Sequence, residues 1–258
     1  MSKKATPEFT GTDRFYRGMC RPEKGEVHFQ VVLEETDLWV TALKDLSAEI
    51  LEYIHTLRAE LKNHCRRHPD FLSALHPLDP GPADPEIAAR MKEASSRLNI
   101  GPMAAVAGCI AMMVAERFAD KSPDLVVENG GDIYMYSTRE RKVGLLADPE
   151  TGVHLALRVP FSQFPCSLCS SSSTIGHSLS LGQGDLVTVL AKDGCLADAA
   201  ATALANNLQG KKGLSRMLTQ AKTLKKNGVM GVFGQKGEEI GVWGEMELVS
   251  IPDDPQSP

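Results

Sequence analysis

Asp198 and Thr202 stand four residues apart in the string LADAAATAL, so on a helix a carboxylate and a hydroxyl project from one face. Two hard oxygens so placed suit Mg²⁺ or Ca²⁺ when further oxygens converge from elsewhere. The plain alternative is a carboxylate favourable to its own helix dipole and a threonine bonded back to a carbonyl. A second string, VENGGDIYMY, carries Asn129, Gly130, Gly131 and Asp132. Its glycines permit positive φ and let a ligand approach bare backbone, while Asn-Gly is equally the signal of a hairpin. In a third, LNIGPMAAVAGC, the Gly101-Pro102 corner opens a helix whose free N–H groups can hold an anion. Capping and close helix packing through Ala104, Ala105 and Gly108 would explain the same residues. The fourth, FPCSLCSSSSTIGHSLSLGQGD, reads as a glycine-bearing loop crowding Cys166, Cys169, the hydroxyls of Ser170, Ser171, Ser172, Ser173 and Thr174, and His177. One C-x-x-C followed only by His177 falls short of a structural zinc site. A redox or persulfide-carrying thiol is chemically sensible where a helix N-terminus or a charged histidine lowers its pKa, and a buried inert cysteine is the alternative. No G-x-S-x-G elbow accompanies the serines. Cys169 and His177 are thus the catalytic candidates, and Gly101, Asn129 to Asp132 and Ser171 to Thr174 the cofactor-binding ones.

The elements that must position these residues are legible in part. A chain of 258 residues can bury a core without disulfide or metal staples, so folding does not account for its six cysteines. Nothing at the N-terminus reads as a leader, so reduced thiols and a cytoplasmic location are expected. The longest apolar run, Met103 to Ala115, falls short of the roughly 20 residues that cross a bilayer. A net charge of -5 argues against nucleic acid as a partner. A small-molecule ligand is expected instead, no membrane, and a homodimer is compatible with the composition. The basic tract His64 to His68 and the group Lys222, Lys225 and Lys226 read as helix C-terminal turns.

Val27 to Leu33 and Leu38 to Leu43 read as a hairpin. Leu46, Ile50, Ile54, Leu57 and Leu61 recur at steps of three and four, predicting a helix from Asp45 to His64 with one buried stripe. The segment His68 to Pro85 holds five prolines and is a rigid connector. Helices are predicted from Pro85 to about Leu98 and from Pro102 to about Phe118. Strands follow at Leu125 to Glu128, Ile133 to Ser137, Lys142 to Ala147, Val153 to Val159 and Leu186 to Ala191. Next come helices from Leu196 to Leu208 and Leu214 to Lys225, and Val229 to Phe233 and Ile240 to Val249 close the sheet. Without a regular βαβ alternation the class is α+β.

Taken in order, these strings resemble the ApbE-like superfamily, whose best-known members are FAD:protein FMN transferases. The counterparts are IGPMAAVAG at Ile100 to Gly108, ENGGDI at Glu128 to Ile133, SSSSTIG at Ser170 to Gly176, LVTVLA at Leu186 to Ala191 and LADAAATAL at Leu196 to Leu204. The resemblance spans roughly Leu98 to Asn207. It implies a single ApbE-like domain over 1–258 with mixed sheets, helices and two interleaved subdomains. Independently of the resemblance, the five prolines make 68–85 the candidate subdomain boundary, and the tail 252–258 reads as disordered. The resemblance further implies Mg²⁺ held by Asp198, Thr202 and a carbonyl near Ala104, against the diphosphate of FAD or another nucleotide. Two departures stand out: Ala105-Val106 replaces the transferases' Ala-Lys, and the histidine-bearing insertion before the Val-Thr-Val strand is missing. GHSLS and ADAAATALAN further resemble an uncharacterised cytoplasmic branch of the superfamily linked to sulfide assimilation in anaerobes. Three functions follow as expectations. One is binding of a small phosphorylated or sulfur-containing ligand in sulfur metabolism, with Cys169 as sulfur carrier. The second is a Mg²⁺-dependent flavin transferase or FAD pyrophosphatase, and the third a non-enzymatic assembly partner.

Overall fold

A strand whose successive residues enter two different apolar cores must lie in the middle of three layers. The computed structural model describes residues 23–148, 153–172 and 185–252, and β8 (Leu186–Ala191) is such a strand. Its Val187 and Val189 join a helix-side core, whereas Leu186 and Leu190 join a second core on the opposite face. The sheet it belongs to has eight strands in the order β1 (Val27–Leu33), β2 (Thr36–Ala42), β3 (Leu125–Asn129), β4 (Asp132–Tyr136), β7 (Cys166–Ser172), β8, β9 (Val229–Lys236) and β10 (Glu239–Gly244). Every neighbouring pair is antiparallel. A smaller sheet in the order β11 (Glu247–Pro252), β6 (Val153–Val159), β5 (Arg141–Asp148) supplies Val143, Leu157 and Val159 to the second core.

The helices form the third layer. They are α1 (Ser47–Arg67), α2 (Asp70–Ser73), α3 (Glu86–Ser96), α4 (Val106–Phe118), α5 (Gly194–Ala205) and α6 (Gly213–Thr223). In α1 the predicted stripe Ile50, Ile54, Leu57 and Leu61 is buried. Nine of the thirteen residues of α4 and eleven of the twelve of α5 are buried, so these two helices form the centre of the layer. The class is therefore α+β. Among the described residues no helix is long and apolar enough to cross a membrane.

Three expectations change. Cys166 to Ser172 is not loop but β7, paired with β4 and β8 in the middle of the large sheet. Its hydroxyls disguise it in sequence, yet they find partners: Ser167 Oγ donates to the Ile133 carbonyl at 2.8 Å, and Ser170 Oγ lies 2.9 Å from Thr188 Oγ1. Ile240 to Val249 is not one closing strand. The chain turns at Gly244, φ 82°, where a Cβ would stand 2.2 Å from the Met230 carbonyl oxygen, so β10 stays in the large sheet and β11 joins the small one. Pro252 pairs with Val153 in β11, while residues 253–258 lie outside the described residues.

Candidate functional site

The Asn129-Gly130-Gly131-Asp132 string is a two-residue hairpin loop joining β3 to β4. Both glycines have positive φ, 69° and 106°, the combination that closes a hairpin tightly, and a Cβ on either would meet nothing within 4 Å. The turn is both a hairpin and an open face. Asn129 secures it, its Nδ2 donating to the Ala107 carbonyl at 3.1 Å, and Glu128 accepts the Gly131 N–H at 2.9 Å. Sequence reasoning passed over Glu128, which is buried beside the turn.

Asp198 lies on α5, whose own N-cap is Asp193: its Oδ1 accepts the Leu196 N–H at 3.0 Å. Asp198 is therefore free of the dipole role that its place near a helix start suggested. Its Oδ2 reaches across to α4 and accepts the Gly108 N–H at 2.9 Å, and the Ala107 N–H also bonds to it. These are early amides of a helix whose N-cap, Ala105, brings no capping side chain, so Asp198 caps α4 from outside. The approach needs two glycines. A Cβ on Gly108 would stand 2.4 Å from the Gly194 carbonyl oxygen, and one on Gly194 would stand 2.6 Å from that of Gly108. Replacing Asp193 by alanine removes the α5 cap and is expected to cost about 1 kcal/mol. A thermal melt should then shift down by about 2–4 °C.

Between the hairpin and α5 stands Cys169, on β7. Its Sγ lies 3.2 Å from Ser167 Oγ and 3.8 Å from the Gly194 carbonyl, and its thiol bonds the Asp132 carboxylate. The Ser170 N–H donates to Asp132 Oδ1 at 3.2 Å. Burial pushes Asp132 up to about 7, with the charge of Glu128 adding to it and the bonds from Cys169 and Ser170 opposing it. Burial also lifts Asp198 well above the usual carboxylate range; the charge of Asp132 lifts it further, against the two amides of α4. Cys169 is fully buried, and burial followed by the charges of Asp132 and Asp198 pushes its thiol well above 9. These surroundings hold a proton on sulfur, the opposite of what a nucleophilic or sulfur-carrying thiolate needs.

The structure thus brings Asn129, Gly130, Gly131, Asp132, Cys169 and Asp198 together around the start of α4. Thr202 is half-buried one turn further along α5, and its hydroxyl has no hydrogen-bond partner among the described residues. Ala104 is half-buried in the single 3-10 turn Pro102–Ala105 that leads into α4. Gly101 serves packing instead. A Cβ there would stand 1.7 Å from the Ala74 carbonyl oxygen, so connector backbone fills the place where an anion was expected. Ser171 and Ser172 continue β7 opposite Val187 and Leu186, half-buried and exposed respectively. Ser173, Thr174 and His177 lie outside the described residues. Among the described residues no group of three or more His, Cys, Asp and Glu is arranged to hold a metal ion. A cation here would rest on hydroxyl and carbonyl oxygens beside carboxylate.

The chain matches the family model described as AbpE bacteria over residues 18–232. It is 34% identical over 226 residues to a UPF0280 protein of Archaeoglobus fulgidus, covering 86% of this chain and 90% of that one. To a UPF0280 protein of Methanocaldococcus jannaschii it is 34% identical over 228 residues, with 85% and 92% covered. Its fold is shared with the flavin transferase ApbE of Vibrio cholerae at a TM-score of 0.54 and 12% identity, covering 85% of this chain and 96% of that one.

Proposed function

The chain belongs to the AbpE bacteria family, and on that premise we propose that it binds a flavin nucleotide at the open Gly130-Gly131 turn with the help of a divalent cation. One observation carries the reading. Asp132 and Asp198 are buried behind the turn, the charge of the first lifting the second, and among the described residues no cationic side chain bonds to either carboxylate. Unneutralised buried charge of this kind favours a cation.

The donor set fits such an ion. Asp198 supplies a carboxylate, each oxygen of which has more than one lone pair, Thr202 keeps its hydroxyl, and Ala104 can offer a carbonyl, all hard oxygens of the kind Mg²⁺ selects. When bound, the cation would supply neutralisation of diphosphate charge. The chain's own residues do the rest. Gly130 and Gly131 leave room for the ligand to meet backbone, and Asn129 fixes that turn to α4. Val106 begins α4 where the flavin transferases carry lysine, so no ammonium is offered there, and the reading is of binding without covalent transfer. A sulfur-carrying role for Cys169 is not favoured, because its thiol is buried and kept protonated.

Flavin fluorescence during titration with FAD or FMN, with Mg²⁺ or with a chelator, tests this. Mg²⁺ is expected to tighten binding by about tenfold or more, a gain of about 1.4 kcal/mol, and Asp198→Asn to abolish that gain. Absence of flavin binding under both conditions overturns the reading.

A further inference from the structure

Away from this site, the connector between α2 and α3 is clamped over a buried charged cluster. Asp84 Oδ2 accepts the Gly81 N–H at 2.7 Å and the Lys92 ammonium of α3 at 2.9 Å. Its other oxygen, Oδ1, faces His64 Nδ1 at 3.7 Å, too far for a hydrogen bond. His64, at 0% exposure on α1, has no hydrogen-bond partner on either ring nitrogen. Its ring stacks on His68 at 4.6 Å and meets the edge of Phe71 from α2 at 4.8 Å. A cavity of about 390 Å³ lined by Glu60, Asn63, Arg67 and the connector residues Pro82 to Pro85 lies against the cluster.

We propose that His64 is an acid-sensitive latch, whose protonation releases α2 and the connector from α1 and α3. The charged groups around the ring set the direction. Asp84 is the carboxylate that faces it, Lys92 of α3 already holds that carboxylate, and Glu60, one turn earlier on α1, lines the adjoining cavity. Arg67 and His68 of α1 add repulsion, and α2 contributes the apolar Phe71. A second cation therefore has no anion of its own, and opening the clamp to water relieves it. Burial first, and the charges of Lys92 and Arg67 after it, hold His64 below its ordinary 6.5 despite the pull of Asp84. A base with a depressed native pKa stabilises the closed form fully above 6.5 and loses that contribution as pH falls towards the native value. The latch leads to the binding face, because Ala74 and Leu75, just after α2, pack on Gly101 ahead of α4.

Hydrogen exchange of ligand-free protein, with times corrected for intrinsic rates, reads the latch directly at the amides of Phe71, Ala74 and Asp84, which bond within this segment. Taking an opened-state pKa of 6.5, protection there is expected to fall by several-fold, to a limit of about tenfold, between pH 7.5 and 5.5 relative to the amides of α4. His64→Phe should abolish the fall, and His68→Gln should keep it. Lys92→Met gives His64 sole use of Asp84 and should remove or reverse it, which keeps the test open if His64→Phe does not fold. A wild-type segment with unchanged protection, or the same fall in His64→Phe or in Lys92→Met, overturns the proposal.

Discussion

Gly108→Ala is expected to lower stability by about 3 kcal/mol, at the upper end of ordinary overpacking costs. The added methyl would stand 2.4 Å from the Gly194 carbonyl oxygen, 2.7 Å from Asp198 Cβ and 3.1 Å from Cys169 Sγ. The first of these is backbone of another helix and cannot turn aside. Alanine favours the helix interior over glycine by about 1 kcal/mol, so a purely local view predicts the opposite sign. Relief requires α4 and α5 to separate, which pulls Asp198 from the Gly108 amide, and flavin affinity should fall with stability. Gly194→Ala makes the reciprocal contact, at 2.6 Å from the Gly108 carbonyl oxygen and 2.9 Å from Met112 Cβ. Because one separation relieves both, the double variant should cost clearly less than the sum of the singles. Thermal melts of the three variants check this. A Gly108→Ala protein melting with its parent would mean that the two helices do not cross so closely.

The sequence revealed what depends on periodicity and missed what depends on contact. The stripe of α1 and the hairpin at Asn129 to Asp132 follow from spacing and composition, and each is present. Strand β7 was hidden because serines in a central strand look like loop until their hydroxyls are seen bonded to neighbouring strands. Asp198 was legible as a carboxylate near a helix start, but not as the cap of a different helix. That role depends on Gly108 and Gly194 meeting from distant parts of the chain, and nothing local to either records it. Asp193 was the nearer signal, since an aspartate just ahead of an Ala-rich run marks the α5 start earlier than apolar periodicity does. Gly101 errs the other way: a glycine before proline suggested an anion corner, whereas the demand on it comes from Ala74 in the connector.

The largest response to pH is expected from Asp132 in protein freed of cation and ligand. Its native value of about 7 lies above the ordinary 3.8 because of burial and, next, the charge of Glu128. The native state thus grips the proton more tightly than the unfolded chain does. Its contribution is fully present below 3.8 and is lost as pH rises through about 7. Asp198, raised chiefly by burial and then by the charge of Asp132, works with the same sign. The whole displacement corresponds to on the order of 4 kcal/mol, of which roughly 3 kcal/mol falls between pH 5 and pH 8, less whatever local relaxation recovers. Asp132→Asn keeps an oxygen for the Ser170 N–H and carries no charge, so its melting temperature should exceed the parent's by clearly more at pH 8 than at pH 5, the two converging only as pH falls to the ordinary 3.8. Mg²⁺ should raise the parent at pH 8 by neutralising the same charges and should do little for Asp198→Asn. Melting curves in chelator and in Mg²⁺ at the two pH values separate these effects. If parent and Asp132→Asn lost stability in parallel from pH 5 to pH 8, the buried carboxylates would not be the unneutralised pair on which the binding proposal rests.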